Sequence, residues 1–159
     1  MSTADNNAEW YARGLRFTCG RCGNCCTGPE GFVWFSDDEA QDMAAALGLS
    51  KEEFLRMYTR ETEMGRRSLR EVDSPTGRDC VFLRRDDQGR ALCSVYQARP
   101  TQCRTWPFWP EVLRSSAAWE RAARSCQGMA EGLAGKGELY PLERVRLLRA
   151  EQVSHDRQV

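Results

Sequence analysis

Four cysteines fall within eight positions of the stretch FTCGRCGNCCTG, residues 17–28, and the last two are adjacent. Cys19, Cys22, Cys25 and Cys26 make a CxxCxxCC pattern, and Cys80, Cys93, Cys103 and Cys126 bring the total to eight. A CxxC pair sets two thiolates on one tight turn, about as close as two ligands of one metal must be. Three evenly spaced cysteines can hold three corners of a four-iron cluster, with a distant cysteine as the fourth. The run differs from the bacterial ferredoxin pattern, where the last cysteine comes after a longer gap and precedes proline. Here Cys26 follows Cys25 directly and Thr27 comes next. It also differs from the CxxxCxxC loop of radical S-adenosylmethionine enzymes.

Eight thiols at four per site make two sites, for zinc or for iron–sulfur clusters, since both accept an all-thiolate ligand set. In an extended segment consecutive side chains point to opposite sides. Cys25 and Cys26 are therefore expected to serve different centres. Cys25 continues the spacing of Cys19 and Cys22 and belongs with them on this reading. Cys26 then faces Cys80, Cys93, Cys103 or Cys126. The plainer alternative for a distant cysteine, Cys126 above all, is a buried core thiol.

An even count also fits four disulfides. The opening MSTADNNAEWYARG is polar and acidic, without the positive start and apolar middle of a secretory signal. That predicts a cytoplasmic protein, where reduced cysteines are metal ligands more often than structural bridges. No apolar run approaches the length that crosses a bilayer. With 23 basic and 23 acidic residues the formal net charge is zero, which argues against a general grip on nucleic acid or an anionic membrane. A metal ion is the one partner expected, and no protein partner can be named. His155 is the single histidine, which removes histidine-rich zinc sites and cysteine–histidine nucleophilic catalysis. No phosphate loop is present, and no GxGxxG follows a strand.

Other residues bear on a thiolate centre. Zinc or an oxidised four-iron cluster with four thiolates carries net negative charge, and Arg99 or Arg104, flanking Cys103, would offset it. Each is equally well a solvated surface arginine. Trp106, Phe108 and Trp109 either shield a cluster from water or, the favoured reading, pack in the core. Tyr96 either bonds a sulfur or packs. Asp79 is a candidate acceptor beside the ligands, whereas Asp73, Asp86 and Asp87 read as turn residues.

These groups need a scaffold. Residues 1–8 are expected to fray, and residues 9–18 form a lead-in with Trp10, Leu15 and Phe17 available to pack. Glycines 20, 23, 28 and 31 suit the tight turns of a ligand loop. FVWF at 32–35 reads as a short buried strand. Ser36 with Glu39, and Ser50 with Glu53, are capping boxes that open helices running to about Leu47 and Tyr58. Residues 59–72 carry no clear pattern. Residues 80–96 read as a hairpin around DDQG, with Cys80 and Cys93 near its ends. Three prolines forbid a long helix over 97–110. A helix starts at Pro110 and runs through Trp119, Cys126 lies past its end, and a last helix spans about 141–153.

At this point the chain resembles the YkgJ-type cysteine-cluster family, a zinc- or iron-chelating domain. CGRCGNCC carries its CxxCxxCC signature, DCVFL (79–83) resembles its second element, and CSVYQARPTQCRTWPFWP (93–110) resembles its block around two cysteines and Arg-Pro. SCQG (125–128) is similar to its final Cys-Pro-Gly, with Gln127 in place of proline. The resemblance covers roughly residues 17–130 and implies metal or iron–sulfur binding through all eight cysteines. Longer relatives are associated with flagellin lysine methylation, but no methyltransferase motif occurs here and that activity is not carried over. The expected fold is one small α+β domain over 1–159, mainly helical, with a short β-hairpin, built around a cysteine-ligated metal cage. Three functions fit: a metal-binding protein, a redox or modification enzyme using an open-site metal, and a zinc-stabilised interaction module.

Overall fold

The computed structural model describes residues 8–159, so most of the segment expected to fray lies outside the described residues. In chain order the elements are β1 (Leu15–Arg16), α1 (Asp37–Ala46), α2 (Lys51–Tyr58), β2 (Thr59–Glu61), β3 (Arg67–Leu69), β4 (Glu71–Ser74), β5 (Gly77–Cys80), β6 (Leu83–Arg85) and β7 (Ala91–Cys93). A 3-10 turn (Tyr96–Ala98) follows, then α3 (Thr101–Thr105), α4 (Pro110–Leu113), α5 (Ser116–Ala123), α6 (Gln127–Leu133), β8 (Leu139–Tyr140) and α7 (Leu142–Gln158). The strands form separate two-stranded antiparallel sheets, β1 with β8, β2 with β3, β4 with β5 and β6 with β7. The class is therefore α+β, as expected. The backbone contacts divide the chain into two compact units: Met1–Gly20 with Pro107–Ala150, and Arg21–Trp106 with Glu151–Val159.

In the first unit the packing is aromatic. Phe108 lies 5.8 Å from Trp119, 4.7 Å from Tyr140 and 6.1 Å edge-on from Phe17. Phe108 is thus a core ring, in line with the favoured reading. The helix expected from Pro110 through Trp119 is two helices. Ser115 is extended and its hydroxyl accepts from Ala118 N, so it starts α5 afresh after α4. α6 was not foreseen: Cys126 lies past the end of α5, as expected, but serves as the N-cap of another helix. Two glycines weaken the α6 helix signal, yet Gly128 is demanded by packing, because a Cβ there would sit 2.2 Å from Thr18 O.

The second unit is built on α1 and α2. Both capping boxes are formed, with Ser36 and Glu39 bonding each other's backbone N–H groups and Ser50 and Glu53 doing the same. Met43, Ala44, Phe54, Leu69, Phe82 and Val95 make the core, and Cys80 and Cys93 pack against its margin. FVWF is not buried throughout. Val33 and Phe35 pack on this core, while Phe32 and Trp34 stack on each other at 4.9 Å. Their outer faces carry Arg60 at 5.0 Å from Phe32 and Arg66 at 4.0 Å from Trp34. This is the period-2 alternation of an extended segment, with aromatic rings on the outward side. Residues 59–72 turn out to hold β2, β3 and the start of β4. Their charged side chains hide the alternation, and pairing with neighbours rather than composition makes them strands.

Candidate metal centre

The expected hairpin around DDQG exists but is shorter: Leu83 pairs with Cys93 and Arg85 with Ala91. Asp86 closes the turn by accepting from Gln88 N, Arg90 N and Arg90 Nε, the turn role assigned to it. Cys80 belongs instead to the preceding hairpin, where it ends β5 opposite Glu71. The cysteine loop is laid along that hairpin. Cys80 N donates to Cys26 O at 2.7 Å and Arg78 N to Gly28 O at 2.8 Å. Gly77 allows this approach, since its φ is +127° and a Cβ would lie 2.4 Å from Gly28 O. On the other side of the loop, Ala91 N donates to Arg21 O and Arg85 Nη1 to Cys22 O. Two hairpins thus fix the loop by its backbone, leaving its thiols unencumbered.

The adjacent pair does not diverge. Cys25 Sγ and Cys26 Sγ lie 3.7 Å apart. The segment is a turn rather than an extended strand: Cys26 N donates to Gly23 O, and Gly23 holds φ at +81°. The premise of opposite-facing side chains fails for that reason. The charge of Cys25 adds to burial in raising the thiols of Cys80, Cys93 and Cys103.

None of the eight cysteines is in a disulfide; Cys19 and Cys25 are exposed and the others half-buried. Six lie in the second unit, and Cys19 and Cys126 lie in the first. There the backbone following Cys19 passes beside Gln127, with a Cβ on Gly20 only 3.1 Å from Gln127 Oε1. Cys19 and Cys126 thereby stand on neighbouring segments. As the side chains stand, no group of three or more His, Cys, Asp or Glu among the described residues is arranged to hold a metal ion. The expected cage is therefore not shown by this arrangement of side chains.

The donor chemistry fits a metal nonetheless. Burial pushes the Cys80 thiol up to about 11, with the charges of Cys93, Glu71 and Cys25 adding to it against a hydrogen bond from Phe82 N. Burial also raises Cys103 and Cys93, and the bond to Cys26 followed by burial raises Cys25. The thiols of Cys25, Cys80, Cys93 and Cys103 resist ionising together because each developing charge repels the next. A cation placed among them removes that penalty, which is how a metal takes protons off its ligands. The separation of 3.7 Å between the adjacent sulfurs is close to the edge of a thiolate tetrahedron, about 3.8 Å for metal–sulfur bonds of about 2.3 Å.

The two arginines flanking Cys103 separate. Arg99 donates its Nε to Tyr96 O at 3.0 Å, and its charge opposes the rise of the Cys25, Cys93 and Cys103 thiols. Arg104 is turned to Glu151 at 3.3 Å and to Thr101 Oγ1 at 2.9 Å. Tyr96 is exposed, and its ring lies 3.9 Å from the Arg99 guanidinium. Asp79 accepts from the hydroxyls of Thr27 and Ser74, which hold its carboxyl below the usual range, and bonds no sulfur. Glu39 was read only as a capping residue, but its second oxygen also grips Thr101 at the start of α3. A capping box carries no signal for that further contact.

The fold is α+β, and its turn, short hairpins and short helix carry Cys25, Cys26, Cys80, Cys93 and Cys103. The chain belongs to the CxxCxxCC family, described as "Putative zinc- or iron-chelating domain", which matches residues 18–127. It is similar to the uncharacterized protein MJ0661 of Methanocaldococcus jannaschii, with 29% identity over 102 residues, 64% of this chain and 50% of that one. The chain thus spans about half the length of this curated relative. No solved structure matches it. No helix among the described residues is long and apolar enough to cross a membrane.

Proposed function

We propose that this protein binds zinc or an iron–sulfur cluster through its cysteines, with Cys25, Cys26, Cys80, Cys93 and Cys103 as candidate ligands in the second unit. The observation that carries the reading is the docking of the CxxCxxCC loop along the hairpin that ends in Cys80, with Cys80 N donating to Cys26 O at 2.7 Å and the Cys25 and Cys26 sulfurs 3.7 Å apart. The family description, zinc- or iron-chelating, supports it. Cys19, Cys22 and Cys126 remain candidate metal ligands.

The group would supply a fixed divalent charge or, as a cluster, an electron site. The chain's own part is to hold soft thiolates at the core margin and to set Arg99 against their charge. Anaerobically purified protein is expected to contain zinc, or iron with acid-labile sulfide, and a visible absorption band separates the second from the first. Cys25→Ser and Cys80→Ser should each lose the same equivalent of metal. Purified protein with eight reactive thiols and no zinc or iron would overturn the proposal.

A further inference from the structure

The helix that carries Cys103 is too short to stand alone. α3 has five residues and no side-chain cap of its own, far below the length at which a helix persists unaided. Both of its ends are gripped by side chains distant in sequence. At the start, Glu39 Oε1 accepts from Thr101 N and from Thr101 Oγ1, each at 2.7 Å. At the end, Thr105 Oγ1 donates to Gln152 Oε1 at 2.6 Å. Gln152 Nε2 in turn donates to Asp156 Oδ1 at 2.8 Å. His155 Nε2 lies 3.0 Å from the other Glu39 oxygen, and Arg104 pairs with Glu151 at 3.3 Å. Thr101, Thr105, Gln152 and His155 are all buried. Breaking the bonds of Thr101, Thr105, Gln152 or His155 strands a buried polar group. His155 Nδ1 is the imperfect point: it is buried without a hydrogen-bond partner, with Asp156 Oδ1 3.9 Å away.

We propose that Glu39 and the segment 151–158 form a clamp that positions Cys103, so that metal loading at Cys103 and docking of this segment stabilise each other. The proposal rests on the reading that Cys103 is a ligand. Coupling of this kind is reciprocal: what fixes α3 raises the affinity at Cys103, and what occupies Cys103 tightens the clamp. Gln152, Glu39 and His155 touch no sulfur and are positioning residues.

Two measurements on the full chain test it. In metal-free protein, Gln152→Ala and His155→Ala are expected to speed alkylation of Cys103 by iodoacetamide about tenfold, read by peptide mass spectrometry, with Cys80 unchanged. His155→Gln, which keeps a donor for Glu39, should restore the slow rate. Adding zinc alone should slow hydrogen exchange over 151–158 in the wild type and not in Cys103→Ser. Equal acceleration at Cys80 and Cys103 would mean general loosening and would overturn the clamp. So would exchange over 151–158 that zinc leaves unchanged while the protein demonstrably holds zinc. If the protein holds neither zinc nor an iron–sulfur cluster, the function proposed above fails, and the alkylation rates alone decide whether the clamp exists.

Discussion

Two cysteines side by side mean different things in a strand and in a turn. With Gly23 at positive φ, the backbone curls and brings the Cys25 and Cys26 sulfurs to 3.7 Å. The charge of Arg99 acts on Cys25, Cys93 and Cys103. Four thiolates around a divalent ion leave an excess of negative charge, and a nearby guanidinium offsets part of it. Arg99→Gln is therefore expected to weaken metal binding roughly three- to tenfold, as suits a partly screened charge interaction. Arg56→Gln, an exposed arginine on α2, should change it by less than about twofold. Competition against a chromophoric chelator measures both, and equal effects would remove Arg99 from the centre.

At the scale of elements, the helix starts at Ser36 and Ser50 were legible because a capping box is a local code, read within four residues. The strands between residues 59 and 80 were not, because each is three or four residues long and finds its reason in a partner. The β4–β5 hairpin has a further reason, the cysteine loop that pairs with it. Gly77 is the point of closest approach, so Gly77→Ala meets both a disfavoured φ and the Gly28 carbonyl. It should cost about 2–3 kcal/mol in denaturant unfolding and lower the metal content. Gly48→Ala, at φ +70° with open space around it, should cost about 1 kcal/mol and leave the metal content intact. A smaller penalty at Gly77 than at Gly48 would show that the loop is not held there.

For the molecule as a whole, the question is what keeps the hairpins in place. A two-stranded sheet is marginal by itself in water, and every sheet among the described residues has two strands. The α1–α2 core around Met43 and Phe54 has its own apolar packing, whereas Cys80 and Cys93 lie at its margin. The glycine-rich loop adds little apolar surface. Chelation of the metal should therefore release amide protection over residues 71–93 while α1 and α2 keep theirs. Melting should fall by about 10 °C or more if the metal contributes several kcal/mol. Unchanged protection in the hairpins after metal content reaches zero would make the centre peripheral to the fold.

The eight-cysteine count, the CxxCxxCC spacing and the capping boxes were fixed by residue identity and short-range spacing alone, and with them the family and the α+β class. Those features act within a few residues or depend only on which donors exist. Which thiols meet is different. It depends on a glycine turning the chain at Gly23, on backbone docking at Gly77, and on α3 being gripped by Glu39 and Gln152 across 62 and 47 residues of sequence. Side-chain direction and long-range hydrogen bonds are properties of the packed chain, so only the tertiary structure could bring the Cys25 and Cys26 sulfurs together, lay the cysteine loop along the Cys80 hairpin and turn Arg104 to Glu151.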